Sequence, residues 1–171
     1  MLVRFCFFSS IAFSFTAWGW VGARYLWPRL RERPRAEALR PLLILHSFRF
    51  IGLAFLVPGV VSPDLPHAFA HYTAFGDLGA AALALLSLMT LRTGPAGLLC
   101  AWIFNFWGSA DLLDAFYQAG RSGLLPGQLG AAYFIPTVLV PLLLITHGLI
   151  FRILTQHQGE PAMQASRGTA A

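Results

Sequence analysis

The stretch Ala23–Arg40, ARYLWPRLRERPRAEALR, places six arginines directly after an apolar run that begins at Leu2. Dense cationic charge beside an apolar run of span length marks the cytoplasmic flank of a membrane helix. Working outward, Arg92 follows the third apolar run, and Arg152 and Arg167 follow the fifth. The alternate gaps hold only Arg4 and Arg121, so nine of the twelve arginines fall on one side. The pattern predicts an all-α fold: an integral membrane bundle of five transmembrane helices, amino terminus outside and carboxyl terminus cytoplasmic. A multi-pass protein of the bacterial inner (plasma) membrane is the expected setting.

Composition agrees. The 171 residues are 57% hydrophobic and only 11% charged, whereas about a quarter of a soluble domain is charged. A helix of ~20 apolar residues crosses a hydrocarbon core. The expected spans are 2–25, 41–61, 71–91, 96–117 and 131–154, forming one transmembrane domain over 1–154. The remaining residues, 155–171, are small and polar and are expected to form a disordered cytoplasmic tail. The net charge of +5 fits attraction to an anionic inner leaflet, because the arginines cluster beside spans. Nucleic acid is not an expected partner.

The first run has features of a signal peptide: Arg4, an apolar stretch and the small residues Val21, Gly22 and Ala23. The arginine excess that follows, and the aromatic belt of Trp18, Trp20, Tyr25 and Trp27, predict instead a span that is retained. Pro28 to Arg40 reads as a polar loop on the inner leaflet. Asp64 is expected to cap the third helix, with Pro66 in its first turn. The small residues Gly76, Gly79, Ala80, Ala81, Ala82 and Ala84 make that helix thin and therefore central. Pro136 and Pro141 should distort the fifth. Cys6 and Cys100 fall at opposite depths, too far apart for a disulfide.

No phosphate loop, nucleophile elbow, CxxC or zinc-protease motif occurs. An enzymatic role is accordingly not the expected one. What remains is the set of ionisable groups inside the apolar runs, each costly enough in a bilayer to need an explanation. His46 and His147 sit at matching depths on two helices, as axial ligation of a b-type haem would require. The competing reading is histidines hydrogen-bonded to backbone. His67 and His71, spaced by one helical turn, could begin a zinc or copper site; interfacial histidines meeting water are the plainer alternative. Arg49, Asp77 and Asp111, with Asn105 nearby, form a candidate intramembrane cluster. It is either an ion pair that fixes helix packing or a binding site.

These features rank three functional expectations. First is a structural or accessory subunit whose partners are lipid and other membrane subunits or further copies of itself. Second is a small oligomeric transporter or permease working through the Arg49–aspartate cluster. Third is a membrane redox protein holding haem or metal through histidines.

Overall fold

The computed structural model describes residues 1–156, and within them every regular element is helical. The tail expected at 155–171 lies outside the described residues apart from Thr155 and Gln156. Among the described residues, five helices are long and apolar enough to cross a membrane. They are α1 (Leu2–Arg31), α2 (Arg35–Leu56), α3 (His67–Thr90), α4 (Pro95–Arg121) and α5 (Ile135–Thr155). A short 3-10 segment, Pro126–Tyr133, precedes α5.

The helices run past the apolar segments at several ends. The polar stretch expected as a loop over Pro28–Arg40 is helical on both sides of a short break, because α1 continues to Arg31 and α2 begins at Arg35. Arginine has good helix propensity, so charge alone did not end either helix; Pro34 did, standing as the N-cap of α2. The expected cap at Asp64 is not formed. Pro66 is the N-cap of α3 and no side chain caps that end. The Asp64 amide instead donates to Ser62 Oγ at 3.3 Å, and its carbonyl accepts from Gln128 Nε2 at 2.9 Å. That second bond ties the α2–α3 turn to the segment before α5, as do Ser62 N to Gln128 O at 3.0 Å and Ala131 N to Val60 O at 2.8 Å.

Three local departures from α geometry matter. Gly22–Leu26 in α1 is a π turn just before Pro28, and Ile135–Leu139 in α5 is another just before Pro141. Each wider turn accommodates a proline ring that would otherwise strike the carbonyl four residues earlier. In α2 the winding tightens to 3-10 over Phe48–Leu56. Side chains three apart eclipse in that geometry, so Arg49, Gly52 and Phe55 stand in one buried row.

The third helix is central. Its buried face holds Phe69, Ala70, Thr73, Ala74, Asp77, Ala80, Ala81, Ala84 and Ser87, at three- and four-residue spacing. It packs against both α2 and α4. Ala82 and Leu85 face outward. The first helix is peripheral: no residue of Leu2–Val21 is buried, and it lies mainly along α5. The apolar core divides into two clusters. One, around Leu39, Leu43, Phe104 and Ile150, fills the end of the bundle where the arginines gather. The other, around Phe55, Phe69, Leu112 and Leu129, lies toward the end carrying the amino terminus. A layer of polar groups separates them.

Candidate functional site

Arg49 is at the centre of that layer, its side chain fully excluded from solvent. Its Nε donates to Asp77 Oδ1 at 2.8 Å, and Nη2 lies 2.7 Å from the same oxygen. Nη2 also donates to Asp111 Oδ2 at 2.6 Å, and Nη1 to the Gly108 carbonyl at 3.0 Å. One guanidinium thus joins α2, α3 and α4. A planar donor fork suits this task, where a lysine would present a single point charge.

The two histidines join the same assembly. Arg49 Nη1 is 3.4 Å from His147 Nε2. Guanidinium has only donors, so His147 Nε2 accepts and the proton resides on Nδ1. That Nδ1–H donates to Asn105 Oδ1 at 2.7 Å, and Asn105 Nδ2 donates to the His147 carbonyl at 3.3 Å. His46 stands beside it, ring centroids 4.1 Å apart, with Phe104 edge-on at 5.2 Å. Thr146 Oγ1 gives its proton to the Leu142 and Leu143 carbonyls at 2.9 and 3.0 Å. It therefore accepts from His46 Nε2, at 3.0 Å. His147 is therefore neutral, while His46 Nδ1 has no hydrogen-bond partner among the described residues.

Glycines make the room. A Cβ on Gly52 would overlap the Asp77 carboxylate, one on Gly76 the Asp111 carboxylate, and one on Gly108 both His147 and Arg49. Each charged group lies against a glycine of a neighbouring helix, which is why charges from three helices can meet at hydrogen-bond distance.

Above the network is a cavity of about 280 Å³. Asp77 and Asp111 border it at the inner end, with Thr73 beside them. Its walls are apolar, with Phe55, Phe69, Phe116 and Ile135 prominent, and α1 contributes Arg4, Phe7 and Phe8. On α4 the lining extends from Asp111 to Gly120, a depth of roughly 13 Å at helical rise. Toward the opposite end the network rests on the close-packed Leu43, Phe104 and Ile150.

The sequence-derived constellations fare differently. Arg49, Asp77, Asp111 and Asn105 come together. His46 and His147 also meet, but not as haem ligands. No porphyrin plane fits between rings 4.1 Å apart, and both Nε2 atoms already bond, to Thr146 and Arg49. The residues do not fit bis-histidine haem. His67 and His71 are exposed on the first turns of α3, and among the described residues no third His, Cys, Asp or Glu gathers with them. Zinc or copper therefore lacks a complete ligand set here, since a closed site takes four ligands and a catalytic one three. Thr73, Thr146, Gly52 and Gly108 escaped the sequence reading, which took Gly76 only as thinning its helix. A signal for part of this was present: His46, Arg49, Gly52 and Phe55 recur at intervals of three, the 3-10 period.

Fold and site together define a class: an all-helical protein with five helices suited to crossing a membrane, built around a buried Arg–Asp–Asp–His–Asn network beneath an apolar cavity. The chain belongs to the family described as Domain of unknown function (DUF8737), whose model matches residues 6–155. The match spans every residue of the network. No curated protein matches the chain, and no solved structure does.

Proposed function

We propose that this is a multi-pass protein of the bacterial inner membrane that binds a small ligand in the cavity above Asp77 and Asp111, acting as a small carrier. The amino terminus is outside and the cavity opens toward that side. The observation that carries this reading is the cavity's ending on the network. A purely structural ion pair has no need of apolar space next to it, and apolar pockets with a few convergent polar groups are the usual form of small-molecule sites. On sequence alone a structural or accessory role ranks first; the cavity moves ligand binding ahead of it. Access from one end, with packed side chains below, is what a carrier needs in one of its two states. The 3-10 stretch of α2 and the π turn of α5 flank the site, and such departures from α geometry commonly mark places where helices flex.

The test is a fragment screen read by thermal shift on protein in lipid nanodiscs, run in parallel on Ala115→Trp, which fills the cavity. Fragments that stabilise the wild type and not the variant support the site. A screen in which no fragment distinguishes the two would leave the cavity without a ligand and return the protein to a structural role.

One observation favours an accessory role as the second reading. The outer surface of α1, with Phe5, Phe13 and Trp20 exposed, buries nothing within the chain over Leu2–Val21. Lipid, another subunit or a second copy could cover it. Co-purification of a stoichiometric membrane partner lost in Phe13→Ala would support that role.

A further inference from the structure

The charges of the network do not balance. Two carboxylates face one guanidinium, and His147, whose Nε2 accepts from Arg49, adds no positive charge. With both aspartates ionised and His46 neutral, one unit of negative charge remains at the base of an apolar cavity, where a cation would offset its cost.

A second observation comes from Thr73. It is only 7% exposed, borders the cavity, and its Oγ1 has no hydrogen-bond partner among the described residues. Other buried or half-buried hydroxyls on these helices bond back to the carbonyl three or four residues earlier. Ser87 does so at 2.8 Å, Ser109 at 2.6 Å, Thr137 at 2.7 Å and Thr146 at 2.9 Å. Thr73 forgoes that bond and leaves its hydroxyl unpaired one helical turn from Asp77. A buried hydroxyl without a partner carries a desolvation cost that a ligand donor would remove.

From these we infer that the cavity takes a small organic monocation, an ammonium head on an aromatic or branched apolar body, with the head among Asp77, Asp111 and Thr73. The inference rests on the cavity being a binding site, as proposed above. Ammonium supplies the missing positive charge and N–H donors for Thr73 Oγ1 and the carboxylates. Phe55, Phe69 and Phe116 offer ring faces and edges to the apolar body and to a cation. The volume suits a small molecule, at the lower end of the usual range of ~300–1,000 Å³ for ligand pockets. Arg4, exposed at the far end of the lining, requires that the outer end of the ligand carry no positive charge.

The experiment compares phenylbutylamine, protonated at neutral pH, with the equally shaped but uncharged phenylbutanol. Binding is measured by calorimetry on the full chain in nanodiscs, with Ala115→Trp nanodiscs subtracting partition into lipid. The expected result is saturable amine binding at least about tenfold tighter than the alcohol. Thr73→Val, which keeps the side-chain shape, should weaken the amine about three- to tenfold, the worth of one hydrogen bond, and the alcohol less, because its hydroxyl makes an uncharged bond. Equal affinity for amine and alcohol, both lost in Ala115→Trp, would overturn the monocation assignment while keeping the cavity as a site. Saturable binding of neither, or binding that survives Ala115→Trp, would overturn the site itself.

Discussion

Asn105 holds His147 at two points: its Oδ1 accepts from the imidazole Nδ1 and its Nδ2 donates to the same residue's backbone carbonyl. The paired contacts fix the ring so that Nε2 presents a lone pair to Arg49. Asn105→Leu should therefore cost about 1–3 kcal/mol, the penalty for leaving buried polar groups unmatched. Denaturation in detergent measures the loss. Nitrogen NMR of labelled His147 should report a neutral ring protonated at Nδ1 in the wild type, and a mixture of tautomers in the variant. A variant as stable as the wild type with an unchanged tautomer would remove Asn105 from the network.

Arg49→Ala strands two carboxylates in the core and should destabilise the protein by about 3–5 kcal/mol. Arg49→Met combined with Asp77→Asn and Asp111→Asn removes the charges together and should recover most of that loss. The triple variant separates structure from function: it should fold, yet no longer prefer amine over alcohol. An Arg49→Ala protein with wild-type stability would show that the guanidinium reaches solvent or lipid headgroups.

Glycine substitutions provide a steric test that involves no charge. A Cβ at position 108 would collide with His147 and Arg49, whereas one at the exposed Gly148 would meet nothing within 4 Å. Gly108→Ala should cost about 1–3 kcal/mol through overpacking. Gly148→Ala should be neutral or stabilise its helix by up to about 1 kcal/mol. Equal effects at the two positions would mean that α4 and α5 do not approach as closely as described.

The arginine distribution predicts an amino terminus outside and a cytoplasmic carboxyl terminus. A reporter active only in the cytoplasm should work when fused after Ala171 and be silent when inserted near Gly123. The opposite pattern would invert the bundle and place the cavity mouth on the cytoplasmic side.

Much of the architecture was legible in the sequence, because span-length apolar runs are a strong and local signal. The five helices and the membership of Arg49, Asp77, Asp111 and Asn105 in a common region were both readable. The merging of that region with His46 and His147 was not. Counting helical rise along each span matched His46 to His147 in depth and left them apart from the Arg49–aspartate cluster. That count assumed α geometry throughout α2, and the 3-10 winding over Phe48–Leu56 changes both its rise and the direction of its side chains. Helix ends were also misplaced where arginine-rich turns stayed helical, at Arg31 and Arg35. The cavity could not be read at all, since it is a volume left by side chains from several helices and a connecting segment. Thr73 was invisible for a related reason: a threonine in an apolar helix ordinarily bonds its own backbone, and only the structure shows that this one does not.

The peripheral position of α1 bears on how the site would respond to its surroundings. Its Leu2–Val21 portion buries no side chain, yet Arg4, Phe7 and Phe8 form one wall of the cavity. Moving that portion would expose little of the protein core while reshaping the chamber. That portion rests along α5 and the segment before it, with Phe7 against Tyr133 at 5.9 Å between ring centroids and Ser10 near the Tyr133 hydroxyl at 3.3 Å. In the proposed membrane setting, acyl chains would cover the rest of it. Ligand affinity should accordingly vary with bilayer thickness, since a helix forced to tilt by mismatch carries that wall with it.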